Sequence, residues 1–101
     1  MLENKDYCDL DTSHELWVMG LEPEAYYDGP LILLYEAQKF LREEKGIIVG
    51  IINNFTIQAF DWYVSTWEED LCRGNKYVSY EEALSEGIKK AVKILKDERI
   101  D

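Results

Sequence analysis

The residue types that carry most enzymatic and metal chemistry are scarce in this sequence. His14 is the single histidine, and Cys8 and Cys72 are the two cysteines. Together they could supply three zinc ligands, but a structural zinc site needs four, and a site built from several histidines is excluded. Two cysteines are also too few for a disulfide framework, so we expect both to be free thiols. The sequence therefore predicts no metal site and no cofactor.

The stretch DLDTSHELWVMG, residues 9–20, has the spacing of acids closest to a known motif. An EF-hand loop needs Gly where His14 stands and Glu where Gly20 stands, which excludes calcium binding of that kind. A phosphatase aspartyl motif would need a preceding apolar strand and a longer chain. Neither a nucleophile elbow nor a phosphate-binding Gly-rich loop occurs in the sequence. We therefore predict no catalytic residue, and a small enzyme is the least favoured alternative.

Acidic residues dominate the charge, with 21 acids against 11 bases and a formal net charge of −10. Residues 1–30 hold eight acids and one base, whereas residues 31–101 hold thirteen acids and ten bases. A surface of this sign repels nucleic-acid phosphates, so we predict no nucleic-acid partner. An acidic patch could instead face a basic protein. A chain that mimics a nucleic-acid backbone, as an antitoxin or inhibitor would, is therefore an alternative function.

Length and composition predict one folded domain over residues 1–101. The sequence is 47% hydrophobic and 13% aromatic, which is typical of a globular chain. No apolar run approaches the roughly 20 residues of a membrane span, and the first residues, MLENKDYCDLD, lack the pattern of a signal peptide. We expect a cytoplasmic protein with no membrane partner. Its acidic N-terminal segment is residues 1–29, and a helix–hairpin–helix core follows over residues 30–97.

The stretch YVSYEEALSEGIKKAVKILKDE, residues 77–98, predicts a long closing helix. Ser79 is a good N-cap, and Glu82 completes a capping box. Val78 could pack on Ala83 as a hydrophobic staple. Gly87 in the helix interior suggests close approach of another backbone. The apolar stripe has helical spacing and should face the hairpin; it consists of Leu84, Ile88, Ala91, Val92 and Leu95.

Two earlier helices follow from similar signals. Thr12 and Glu15 form a possible capping box for a short helix over about Ser13 to Met19, with a strand over Leu16 to Met19 as the alternative. Asp28, Gly29 and Pro30 are typical of a turn, and Pro30 also suits the first turn of a helix that ends at Gly46. One side of that helix should be buried; it carries Leu34, Ala37, Gln38 and Leu41.

The stretch GIIVGIINNFTIQAFDWYVSTW, residues 46–67, is rich in β-branched and aromatic residues and predicts a hairpin. Asn53 and Asn54 suit a two-residue turn. Alternation then assigns Ile48, Ile52 and Ile57 to the face that packs against the helices. The opposite face should bear Phe60, Trp62 and Val64, with a bulge near Phe60. We expect this face to be covered either by Leu16, Trp17 and Met19 of the N-terminal third or by a second copy of the chain.

Beyond the hairpin, EEDLCRGN, residues 68–75, reads as a polar loop, and a short third strand over Lys76 to Val78 is possible. The predicted fold class is therefore α+β. It has a small antiparallel sheet of two or three strands, two main helices packed on the sheet, and a short N-terminal helix.

The segments EAQKFLREEKGIIVGI and YVSYEEALSEGIKKAVKIL resemble a group of small uncharacterised proteins of Bacteroidales and their mobile elements. Those proteins pair a Q..LR helix with a hairpin and a closing YEEAL..G helix, and the resemblance covers residues 30 to 96. This sequence departs from the group at Phe40, where a Trp is usual, and in its acidic N-terminal third, where a Lys-rich helix is usual. The group has no established activity, so the resemblance implies the fold and no chemistry. The matching residues are Gln38, Leu41, Arg42, Tyr80, Glu81, Glu82, Ala83, Leu84, Gly87 and Ala91.

Aromatic residues are the remaining functional signal. Most of them should fill the core, but Trp and Tyr are also enriched at protein interfaces. Trp17, Phe60, Trp62 and Trp67 form the candidate interaction surface, for a protein partner or a homodimer. The favoured function is an acidic protein-interaction or accessory domain of a bacterial mobile element, without enzymatic activity.

Overall fold

The computed structural model describes residues 6–23, 25–26 and 29–99, and it shows an α+β fold. Within these residues there are three helices: α1 (Leu10–Val18), α2 (Leu34–Glu44) and α3 (Tyr80–Arg99). A two-stranded antiparallel sheet joins β1 (Ala25–Tyr26) to β2 (Pro30–Leu31). A three-stranded antiparallel sheet contains β3 (Ile48–Asn54), β4 (Ala59–Ser65) and β5 (Asp70–Tyr77) in that order. The predicted fold class is confirmed, with three strands in the main sheet.

The first helix begins earlier than predicted because a different residue caps it. The Asp9 carboxylate accepts a hydrogen bond from the Thr12 N–H at 2.7 Å, so Thr12 lies in the first turn and the Thr12–Glu15 capping box is wrong. The helical alternative for the residues from Leu16 to Val18 is confirmed. Gly20 ends the helix at φ +113°, a conformation that glycine adopts readily.

Asp9 also joins the start of α1 to α3. Its carboxylate lies 3.2 Å from Lys89 Nζ. Burial raises the pKa of this carboxyl. Hydrogen bonds from the Thr12 N–H and hydroxyl and from Lys89, together with the Lys89 charge, lower the pKa by more than burial raises it. The pKa of Asp9 therefore lies below its ordinary value, which means that the ionised carboxylate stabilises the fold.

We expect Asp9→Ala to lower the free energy of unfolding by about 1 kcal/mol at neutral pH, because the helix loses its cap. Asp9→Asn keeps a capping oxygen and loses only an exposed ion pair, so it should cost less. A carboxyl whose pKa is depressed in the folded state stabilises above its unfolded-state pKa of about 3.9, and that contribution is lost as the pH falls through the folded-state pKa. Urea denaturation should therefore show the gap between wild type and Asp9→Asn closing below about pH 4. A gap that is independent of pH would contradict this role.

The second helix begins at Leu34 rather than at Pro30. Pro30 pairs with Tyr26 in the small sheet, where its missing N–H is tolerated at a strand edge. The chain stays extended up to Leu33, whose φ of −69° and ψ of 144° precede the first helical turn. The predicted stop at Gly46 is confirmed by its φ of +68°. Asp28, the other predicted turn residue, lies outside the described residues.

The hairpin turn lies further along the chain than predicted. Asn53 and Asn54 belong to β3, Asn54 pairs with Ala59, and a four-residue turn links them. Gln58 takes the positive φ of the turn, at +51°, so the two-residue Asn–Asn turn is wrong. The polar loop predicted over residues 68–75 is also largely wrong, because β5 starts at Asp70.

The two faces of the sheet are inverted relative to the prediction. Alternation is as expected, but Trp62 and Val64 face α3 with Val49, in the buried core. Ile48 and Ile52 lie on the other face, and Ile57 lies in the turn. The cover of the Phe60–Val64 face is thus α3, not the N-terminal third or a second copy. A physical reason is Asp61, which shares the outer face with Ile52 and would be a buried charge if that face met the helices.

Two glycines make room for core side chains, one for the Trp62 indole and one for Val49. A Cβ atom on Gly74 of β5 would lie 2.3 Å from indole atoms of Trp62, and one on Gly87 of α3 would lie 2.7 Å from Val49 Cγ1. The same added Cβ atom on Gly87 would lie 3.4 Å from Trp62 Cβ. The predicted close approach at Gly87 is therefore made by side chains, not by another backbone.

The closing helix is largely as predicted. The Ser79 hydroxyl accepts a hydrogen bond from the Glu82 N–H at 3.1 Å, and Leu84 and Ile88 are buried. Val78 is 78% exposed, so the predicted staple on Ala83 is wrong. The N-terminal helix packs against α3 and β2, with Leu16 in the core. Among the described helices, none has the length and apolar character needed to cross a membrane.

Candidate interaction surface

The four aromatic residues singled out in the sequence do not come together. Trp62 is only 8% exposed and belongs to the core, and Phe60 is half-buried with its ring edge against Tyr80, 6.1 Å between centroids. Trp17 is exposed on α1, and Trp67 is 77% exposed in the loop between β4 and β5. Only Trp17 and Trp67 are therefore accessible to a partner, and they lie on separate elements.

The residues with potential for catalysis or metal binding are also dispersed. Cys8 is buried, and burial followed by the nearby Asp9 charge raises the pKa of its thiol to about 12. This thiol stays protonated at neutral pH and is a poor nucleophile. His14 is exposed on α1, and its ring meets Trp17 edge-on. In the part of the chain that the structure describes, no three His, Cys, Asp or Glu side chains are grouped to hold a metal.

An acidic concave surface runs along the start of α3. It is an open groove of about 420 Å³ whose acids are Asp9, Glu81, Glu82 and Glu86, with Lys89 as its base. Lys89 Nζ lies 3.2 Å from Asp9 and 3.3 Å from Glu86, so the chain itself supplies a cation to two of these acids. The nucleic-acid-mimic alternative would depend on this groove.

The β3–β4 hairpin carries the most exposed apolar tip of the main sheet. Residues 46–60 form a run of fifteen residues without a charged side chain, in a sequence that is 32% charged. Within this run Phe55 is 81% exposed, Ile57 51% and Ile52 43%. Apolar side chains that cluster at an uncharged, solvent-facing tip are typical of an interaction site.

The outer edge of β3 is open beside this tip. Strand β3 is an edge strand, and Gln38 Nε2 of α2 donates a hydrogen bond to the Val49 carbonyl at 2.6 Å. The Val49 backbone groups therefore point away from β4. Alternate residues of a strand point their backbone groups to the same side, so those of Ile51 and Asn53 also point outward. Within the described residues, no side chain is hydrogen-bonded to the backbone of Ile51 or Asn53 in the way that Gln38 is bonded to the Val49 carbonyl.

The opposite edge of the sheet has the protection that β3 lacks. Strand β5 carries the charged residues Asp70, Arg73 and Lys76, and its register with β4 shifts twice. Lys76 has a φ of +68°, and its N–H is bonded to the Asp61 carboxylate at 3.2 Å. Charges and bulges are the usual devices that keep an edge strand from pairing with another chain. Of the two edges of this three-stranded sheet, that of β3 is uncharged and has no such bulge.

The outer sheet face next to this edge is partly apolar. The Tyr63 ring covers Gly50, since a Cβ atom there would lie 2.1 Å from the ring, and Ile48 is half-buried beside it. Ile52 extends this face to the hairpin end. We define the binding edge as Ile51 to Asn53 with the tip residues Phe55 and Ile57.

Sequence reasoning missed the binding edge because it ranked aromatic residues by type. The available signal was the absence of charge from Gly46 to Phe60, which separates this hairpin from the rest of an acidic chain. The choice by residue type selected Trp62, which is buried, and passed over Phe55, which is the most exposed large hydrophobic residue in the described part of the chain.

Comparison with known proteins gives no family for this chain: no family model matches it, and no curated protein or solved structure does so either.

Proposed function

We propose that this chain is a protein-binding module that pairs a partner's β-strand with the binding edge. The observation that carries the proposal is the juxtaposition of an open strand edge at Ile51 and Asn53 with an exposed apolar tip at Phe55. In strand addition, backbone hydrogen bonds supply affinity and side-chain contacts supply specificity. Ile51 and Asn53 of the binding edge provide the backbone groups, and the tip residues Phe55 and Ile57 provide the side-chain contacts.

The contrast between the two sheet edges supports this proposal. In a protein whose sheet binds no other strand, both edge strands are expected to carry charged residues, as β5 does. Phe55 at a tip costs solubility and does not contribute to the core, since it is 81% exposed. Aromatic side chains of this kind dominate binding energy at protein interfaces. Binding rather than catalysis is the role that these features favour, and an accessory function in a mobile element is compatible with it.

A photo-crosslinking amino acid placed at Phe55 tests the proposal in cells of the native host. Val78 is the matched control, because it is nearly as exposed, at 78% against 81%, but lies outside the binding edge. We expect a discrete crosslinked polypeptide from position 55 and none from position 78. A chain that gives no crosslink at position 55, or the same products from both positions, would contradict the proposal.

The partner identified in this way should then be measured with purified proteins. The double change Phe55→Ser with Ile57→Ser should weaken binding about thirtyfold, which corresponds to the loss of a hot spot of about 2 kcal/mol. Val78→Ser should leave the affinity unchanged. If capture depends instead on Glu82 and Glu86 of the acidic groove, the nucleic-acid-mimic alternative is favoured.

A further inference from the structure

We infer that the strand bound by the binding edge is β3 of a second copy of this chain, which gives a twofold dimer with a continuous six-stranded sheet. The inference rests on the proposed function, because it names the partner of the same edge. Three observations carry it: the distribution of charge, the register that Gln38 leaves open, and the position of Ile52.

The charge of the chain restricts how two copies can approach each other. Each copy has a net charge of −10, and the start of α3 carries the acidic groove. A contact between the two grooves would set acids against acids at short range, which is unfavourable. The hairpin from Gly46 to Phe60 holds no charge, so two copies can meet there without direct repulsion. An isologous interface brings the same surface of both copies together, so it requires a surface that does not repel itself.

The backbone geometry selects one register for the pairing. A twofold axis at Ile51 would pair Val49 with Asn53 of the second copy, but the Val49 carbonyl already accepts a hydrogen bond from Gln38. An axis at Ile52 instead pairs Ile51 with Asn53 of the second copy, and the reverse. These two hydrogen-bonded pairs exchange four backbone hydrogen bonds, and they use the outward N–H and C=O groups of both residues.

The side chains fit the same register. Ile52 is 43% exposed on the outer sheet face, and an axis at this residue sets it against its own copy. Cα atoms of such a non-hydrogen-bonded pair lie about 4.5 Å apart, so the two isoleucines cover each other. The exposed Phe55 follows the last residue of β3, so this register carries it toward the Val49 end of β3 in the second copy. Two exposed apolar residues of the hairpin, Ile52 and Phe55, thus lie at the interface.

An interface of this size on an acidic chain has a characteristic response to salt. Four backbone hydrogen bonds and a few apolar side chains form a small contact, so the dimer should be concentration-dependent. Added salt screens the repulsion between the two negative chains and does not weaken apolar contacts. Dimerisation should therefore strengthen with salt, in contrast to binding that depends on opposite charges.

Sedimentation velocity on the full chain tests the dimer. We expect a shift from the mass of one chain, 11.9 kDa, to twice that mass as concentration rises from low micromolar to sub-millimolar. Asn53→Pro removes an outward N–H at an edge position that tolerates proline, so it should give a monomer. Asn53→Thr keeps the N–H and should dimerise as the wild type does. A chain that stays monomeric at all concentrations, or equal dimerisation of the two variants, would overturn the inference.

Disulfide trapping tests the register and remains informative if Asn53→Pro does not fold. In a Cys72→Ser background, Ile52→Cys places two thiols on the twofold axis at a Cα separation that suits a disulfide. Asn54→Cys is the control on the same face, because its two copies would lie about 14 Å apart along the strands. We expect a covalent dimer from Ile52→Cys alone. Trapping at Asn54→Cys, or at neither position, would overturn the inference.

The two proposals fail in different ways. A monomer whose Phe55 crosslinks another protein contradicts the dimer and leaves the binding module in place. A monomer with no crosslink at Phe55 contradicts both.

Discussion

Trp62→Ala should lower the free energy of unfolding by about 3–5 kcal/mol, the largest effect that we expect from one substitution. The indole is 8% exposed and occupies the space that Gly74 of β5 leaves on the sheet face that meets α3. Removing it leaves a cavity bounded by β5, α3 and Val49, which cannot close without moving whole elements. Trp67→Ala is the matched control, because Trp67 is 77% exposed and should contribute almost nothing to stability. Denaturant unfolding that gave the two variants equal stability would contradict the placement of Trp62.

Trp62→Phe separates the packing of the indole from its polar atom. Trp62 Nε1 is buried and has no hydrogen-bond partner among the described residues. An unsatisfied buried donor costs about 1–3 kcal/mol, so removing it offsets part of the lost packing. We expect Trp62→Phe to be far less destabilising than Trp62→Ala.

Leu84→Ala should lower the free energy of unfolding by about 2–5 kcal/mol, the range for a buried leucine. Leu84 lies one turn before Ile88 on the face of α3 that enters the core, and both side chains are buried. Val78→Ala, just before the same helix, provides the control, because Val78 is exposed and should change stability by only a few tenths of a kcal/mol. An unfolding midpoint for Leu84→Ala that equals the midpoint of Val78→Ala would contradict the burial of this face.

The closing helix could be predicted from sequence because its signals are local. The Ser79 cap and the apolar stripe lie within one segment, and they agree with each other. The same holds for the end of α2 at Gly46. The cap of α1 was predicted at the wrong residue, because Asp9 and Thr12 both suit an N-cap and only the fold decides between them.

Which face of the sheet packs against the helices could not be predicted from sequence, because tertiary packing determines it. Both faces of the hairpin are apolar, so the alternation specifies which residues share a face but not which face meets the helices. The decision depends on where Asp61 can stay in water and on the fit of Trp62 beside Gly74 and Gly87. Both depend on residues that are distant in sequence.

The turn was misplaced for a related reason. Asn53 and Asn54 have the conformational freedom that a tight turn requires, but the ladder to β4 continues through both of them. Because β3 is longer than predicted, its edge includes Asn53, and Phe55 lies at the tip of the hairpin. The absence of charge from Gly46 to Phe60 was visible in the sequence. That this uncharged run marks a candidate interaction site became clear only from the structure, which places β3 at the edge of the sheet.

Amide hydrogen exchange measured by NMR is the most direct test of the claim that the outer edge of β3 binds another strand. In dilute protein, the amides of Ile51 and Asn53 should exchange rapidly, while those of Gly50 and Ile52, which face β4, should be protected. Raising the protein concentration, or adding the partner captured at Phe55, should protect Ile51 and Asn53 and leave β5 unchanged. Protection that appeared on β5 or α3 instead, with Ile51 and Asn53 still exchanging rapidly, would contradict the claim.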